Sequence, residues 1–153
     1  MTFLVRDASP EDAAAIARLC AEFAEYLAAL GEPKPRSISA EEVLRDGFGE
    51  RPAFTSIVAE YEGRVVAYLL HHPGYDVVRG GRILIIIDLF VTADARRAGV
   101  GRALMAYARD ACRRSGNHAL VWAVHSRNRA AIAFYERLGA TFSDDLLAIW
   151  PAG

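Results

Sequence analysis

The chain has 153 residues, 53% hydrophobic and 24% charged, which predicts one soluble globular domain over residues 1–153 with its own core. A formal net charge of -1 gives no general pull towards nucleic acid or an anionic membrane. No apolar stretch reaches the ~18 residues of a membrane span, and Met1 to Arg6 lack a signal-peptide pattern, so the expected compartment is the cytoplasm.

Thr2 to Arg6 alternates as a first strand. Ser9, Pro10, Glu11 and Asp12 then supply an N-cap, a first helical proline and an acidic first turn. Ile16, Leu19, Cys20, Phe23, Leu27 and Leu30 give an amphipathic helix that Gly31 ends. Ser39 and Glu42 predict a capping box for a short helix through about Asp46. Phe54 to Tyr61 and Arg64 to His71 read as strands joined by a Glu62-Gly63 hairpin turn.

A loop containing Pro73, Gly74, Gly80 and Gly81 is expected next. The unbroken run from Ile83 to Ile87, continuing to Val91, predicts a strand buried on both faces. A helix follows from Gly99 to about Ser115, then a strand over Ala119 to Val124 and a helix over Asn128 to Leu138, with Leu146 to Trp150 as a last strand. Cys20 and Cys112, on helical segments, read as small buried hydrophobes in a reducing compartment. The order predicts an α/β layered domain with a mixed sheet.

Between the buried strand and the third helix lies Arg96-Arg97-Ala98-Gly99-Val100-Gly101-Arg102. A helix start has main-chain N–H groups without intrahelical partners and the positive end of the dipole. Glycine there lets an anion come close, and arginines add charge-assisted hydrogen bonds, which suits a pyrophosphate. The segment lacks the Gly-Lys-Ser/Thr ending of a nucleoside-triphosphate loop, and Leu104 stands where a dinucleotide fingerprint needs a third small residue. A glycine-containing turn with solvated arginines is the alternative on spacing alone.

Arg96-x-x-Gly99-x-Gly101, after a strand ending Asp88-Leu89-Phe90-Val91, resembles the acetyl-CoA signature of GNAT N-acetyltransferases. Asn128, Ala131, Ile132, Phe134, Tyr135, Leu138, Gly139 and Ala140 resemble that family's second motif, in its order and at its distance. Within the family, Asp46 to Glu50, Tyr75-Asp76 and Asp88 to Val91 are most similar to the diamine (spermidine/spermine) acetyltransferase branch.

The resemblance implies a mixed central sheet of six to seven strands with helices on both faces. The central parallel strands, Ile83 to Val91 and Ala119 to Val124, would splay to admit acetyl-CoA as cosubstrate, with no metal. Main-chain groups of Leu89, Phe90 and Val91 would bond the pantetheine arm and acetyl carbonyl. Arg96, Arg97, Ala98, Gly99, Val100, Gly101 and Arg102 would wrap the pyrophosphate, and Asn128 would hold the pantetheine. Tyr135, two helical turns after Asn128, would protonate the leaving thiolate, since a phenol of pKa about 10 carries its proton at neutral pH. The acceptor would be a small-molecule amine or an exposed amino group, attacking directly in a ternary complex. A homodimer is a further expectation of the resemblance.

The acceptor amine must lose a proton. In the diamine branch a glutamate precedes the aspartate that matches Asp88, but here Ile87 stands there. Asp88 itself should point to the other face and serve as a structural carboxylate behind the sheet. Among His71, His72, His118 and His125, the last is the best-placed base, at the end of the strand flanking the splay. Ser126 and Arg127 replace a further acidic residue and a tryptophan of the branch. Ile87 also motivates a second reading, an acyl-CoA-binding regulatory domain without turnover, against which Tyr135 stands. The arginine cluster carries no recognisable nucleic-acid motif.

Overall fold

Ser9 and Ser39 start the first helical segments as their chemistry requires. The Ser9 N–H donates to Asp12 Oδ2 at 2.8 Å, and Pro10–Asp12 forms one 3-10 turn leading into helix α1, Ala13–Ala29. Ser39 and Glu42 bond reciprocally, the Glu42 N–H to Ser39 Oγ at 3.1 Å and the Ser39 N–H to Glu42 Oε2 at 2.7 Å. They open α2, Ala40–Phe48. The computed structural model describes residues 2–153, and the chain divides into two compact units, Met1–Ala123 and Val124–Gly153.

The first unit holds one sheet in the order β1-β2-β3-β4-β5, with strands Leu4–Asp7, Thr55–Tyr61, Arg64–Asp76, Gly81–Val91 and Ala119–Val121. The first four pair antiparallel, and β5 joins β4 in parallel. Glu62 and Gly63 both have positive φ, 50° and 74°, as a tight two-residue hairpin demands. The alternation of β2, β3 and β4 gives the sheet two covered faces. Val58, Tyr68, Leu70 and Phe90 pack with Ile16 and Leu19 of α1 and Val43 of α2. Helix α3, Val100–Arg114, buries Leu104, Met105, Ala108 and Cys112.

Three expectations change. The loop expected around Pro73 and Gly74 is strand, because Pro73 pairs with Leu84 and Gly74 with Ile83. A Cβ on Gly74 would lie 2.6 Å from Ile85 Cδ1, so a larger residue there would displace the Ile85 side chain. The run Ile83 to Ile87 is not buried throughout: Ile87 is 48% exposed. Leu146 to Trp150 forms no strand, so among the described residues the sheet has five strands and the expected six to seven are not found. That tail has strand-forming side chains, yet Leu146, Leu147, Ile149 and Trp150 are exposed, and among the described residues its own unit contains no strand to pair with it. The second unit contains α4, Arg129–Arg137.

Candidate active site

Strand β4 presents an open edge. Its pairing with β5 covers Ile83, Leu84 and Ile85 and stops at Val121, while β4 continues to Val91. The opposite edge is bonded to β3, and the register slips between Leu70, opposite Asp88, and His71, opposite Ile86. Ile87 is therefore the extra residue of a β-bulge. The Thr92 N–H donates to the Val66 carbonyl at 2.9 Å. Alternation along an antiparallel pair then commits the main chain of Phe90 and Asp88 to β3 and turns that of Leu89 and Val91 to the open edge. Of the three residues expected to use main-chain groups on a ligand, Leu89 and Val91 face outward and Phe90 does not. The Phe90 ring is instead buried against α1.

Beyond β4 the chain makes a short 3-10 turn, Ala93–Ala95, and extends through Arg96. Arg97 has φ 64° and Gly99 φ 84°, two left-handed residues flanking Ala98. The first bond of α3 runs from the Ala103 N–H to the Gly99 carbonyl at 3.0 Å. The amides of Val100, Gly101 and Arg102 thus lie ahead of the helical ladder, and Arg97, Gly99 and Arg102 are exposed. Such a run of main-chain donors at a dipole's positive end fits an anion. Arg96 behaves differently. Its Nε donates to the Val91 carbonyl at 2.9 Å, and its guanidinium carbon lies 5.0 Å from the Tyr26 ring centre and 5.3 Å from that of Phe90.

Asp88 faces α1, as expected of a structural carboxylate, and accepts from the buried Tyr68 hydroxyl at 2.5 Å. Burial pushes its carboxyl up to about 6, opposed by the Tyr68 hydroxyl and the Leu89 amide. Burial, with Asp88 alongside, drives the Tyr68 phenol far above its usual range, so Tyr68 is the donor of the pair. A carboxyl whose folded pKa is raised contributes stability below its unfolded pKa of about 3.9, and that contribution is lost as pH rises through about 6. Asp88→Asn keeps an acceptor for Tyr68 and removes the charge. Its stability relative to wild type is expected to rise by about 2 kcal/mol between pH 4.5 and pH 8. Urea unfolding of both proteins at the two pH values measures this, and a pH-independent difference contradicts it.

His71 is buried opposite Ile86, burial holds it below its usual range, and its Nδ1 has no hydrogen-bond partner among the described residues. His72 approaches the Pro73 carbonyl at 2.9 Å, and His118 is exposed beside Gly81. In the second unit, Asn128 caps α4, its Oδ1 accepting from the Ala131 N–H at 3.2 Å. Tyr135 is buried on α4 with its ring centre 5.1 Å from that of Phe134. His125 is exposed, and its Nδ1 accepts from the Arg127 N–H at 3.1 Å. In the neutral ring this bond assigns the hydrogen to Nε2.

Sequence reasoning missed Glu22, Tyr26 and Thr92. Thr92 is buried and donates through Oγ1 to Glu22 Oε2 at 2.7 Å, and Tyr26 stacks on Phe23 with ring centres 6.4 Å apart. The available signal was a polar residue ending an apolar strand and two polar positions four apart on α1.

Residues 17–140 match the model of the acetyltransferase (GNAT) family. The chain is 31% identical over 145 residues to thialysine N-epsilon-acetyltransferase of Bos taurus, covering 90% of this chain and 83% of that protein. It is 26% identical over 145 residues to human spermidine/spermine N(1)-acetyltransferase-like protein 1, covering 90% of this chain and 20% of that protein. In fold it is similar to a tetramutant of the BH1408 protein of Bacillus halodurans, with TM-score 0.81, 20% identity and coverage of 97% and 99%. No helix among the described residues is long and apolar enough to cross a membrane.

Proposed function

Because the chain belongs to the acetyltransferase (GNAT) family, we propose that it is an N-acetyltransferase that moves acetyl from acetyl-CoA to a primary amine. The observation that carries this reading is the pairing of an open β4 edge at Leu89 and Val91 with helix-start amides at Val100, Gly101 and Arg102 that lie ahead of the helical ladder. An extended arm with amide groups suits the first, and a pyrophosphate suits the second. Acetyl-CoA is the natural ligand with both parts, and it supplies an activated acyl carbon with a thiolate leaving group. The turn from Arg97 to Arg102 receives the diphosphate, largely through main-chain donors. Leu89 and the Val91 N–H pair with the arm, and Asn128 is assigned to orient it.

Tyr135 donates a proton to the departing sulfur. Proton removal from the amine falls to water or to His125. A homodimer and a cytoplasmic location belong to the same reading. Thiol release from acetyl-CoA with and without an amine tests it. Release only when an amine is present supports transfer, whereas binding without amine-dependent release favours a regulatory domain.

The acceptor follows from the bulge. Ile87, half exposed at the position of the diamine branch's glutamate, offers no carboxylate to a second or third ammonium. Seating a polycation beside it leaves charge desolvated without compensation. The relatives named for thialysine and for spermidine/spermine bracket the choice. The acceptor we propose carries fewer positive charges than spermidine, or an apolar part beside the reactive amine. Wild type should use monoamines and amino-acid amides at least about tenfold better than spermidine in kcat/KM, and Ile87→Glu should narrow that ratio. Efficient spermidine acetylation by wild type overturns the assignment.

A further inference from the structure

The chain between β4 and α3 is tied to α1 at two points. At its start, the buried Thr92 hydroxyl donates to Glu22 Oε2 at 2.7 Å, and Glu22 Oε1 is itself held by Arg18 Nη1 at 2.9 Å. Arg18 Nη2 continues to the Val65 carbonyl at 2.8 Å, which anchors the carboxylate to β3. Midway along it, the Arg96 guanidinium lies near two rings, Tyr26 of α1 and Phe90 of β4, whose centres are 6.2 Å apart and tilted by 59°. Phe23 backs both rings, 6.4 Å from Tyr26 and 5.5 Å from Phe90.

The next residue, Arg97, holds φ 64°, a conformation a non-glycine side chain keeps only when its surroundings impose it. Arg96 Nε also occupies the Val91 carbonyl, one of the outward-facing acceptors of the open β4 edge. The first arginine of the turn is thus engaged on the protein, with its charge delivered to aromatic faces.

We propose that Arg96 is a positioning residue, and that Tyr26 and Glu22 of α1 act through Arg96 and Thr92 to hold the following turn in its anion-binding conformation. Arg96 does not contact the phosphate in this arrangement. The proposal rests on reading the turn as the diphosphate site of acetyl-CoA. Its consequence is that an aromatic ring on α1 sets cofactor affinity without touching the cofactor.

The experiment compares CoA binding by calorimetry, and steady-state kinetics with acetyl-CoA and with acetyl-pantetheine, in wild type, Arg96→Ala, Tyr26→Leu, Tyr26→Phe and Thr92→Val. Arg96→Ala and Tyr26→Leu should each weaken CoA binding about tenfold, with the double variant no worse than either single one. The loss should persist at high salt, where an exposed arginine-phosphate pair would be screened. KM for acetyl-CoA should rise with kcat retained, and acetyl-pantetheine, which lacks the diphosphate, should be used as by wild type. Tyr26→Phe, which keeps the ring, should weaken CoA binding less than Tyr26→Leu does. Thr92→Val tests the other end of the connection if Tyr26→Leu folds poorly, and it should also weaken CoA selectively. Wild-type affinity in Tyr26→Leu or in a folded Thr92→Val, or an Arg96→Ala defect that vanishes at high salt, overturns the positioning role. Absence of CoA binding by wild type would instead overturn the diphosphate reading on which it rests.

Discussion

Tyr135→Phe is expected to lower kcat by about a hundredfold while leaving the affinity for acetyl-CoA within about twofold, since the role we propose for the hydroxyl is to protonate the departing sulfur. The ring is buried on α4 and packs against Phe134. Phenylalanine fills the same volume, so loss of rate cannot be assigned to a cavity. The defect should shrink with an acetyl thioester of a more acidic thiol, because a better leaving group needs less protonation. Rapid-quench measurement of the acyl-transfer step with both thioesters gives the comparison. An unchanged rate, with chemistry limiting turnover, removes Tyr135 from the mechanism.

Local chemistry was legible in the sequence wherever one element's own residues decide it. The Ser39–Glu42 capping box, the Glu62-Gly63 turn and the start of α3 at Gly99 all follow from short-range rules. The bulge was not legible. An unbroken isoleucine run has no alternation to break, so nothing marks Ile87 as the extra residue. The destination of Arg96 was hidden for another reason: its seat is made by Tyr26, seventy positions earlier, and by Phe90. The tail erred in the opposite direction. Leu146 to Trp150 has the side chains of a strand, but propensity alone supplies no partner edge. The Asp88 prediction succeeded because strand alternation alone decides which face a residue adjoins, and Tyr68 meets it there.

Gly101→Val separates the use of the turn from its stability. Gly101 is the second residue of α3, where glycine costs the helix up to about 1 kcal/mol against better helix formers. Valine there should leave the fold as stable as wild type or slightly more so. Gly99, at φ 84°, gives a less clean test, because any side chain there is strained whether or not an anion binds. If the amides of Val100, Gly101 and Arg102 meet the diphosphate directly, a branched side chain at 101 keeps the phosphate oxygens away from them. Each charge-assisted main-chain bond contributes on the order of 1.5 kcal/mol. Losing two weakens CoA binding by about a hundredfold, a larger effect than the tenfold expected of Arg96→Ala. Calorimetry with CoA, paired with thermal unfolding, reads both quantities on one sample. Affinity should fall while the melting temperature holds or rises, an opposition that misfolding cannot produce. Normal CoA affinity in Gly101→Val would move the diphosphate off this turn.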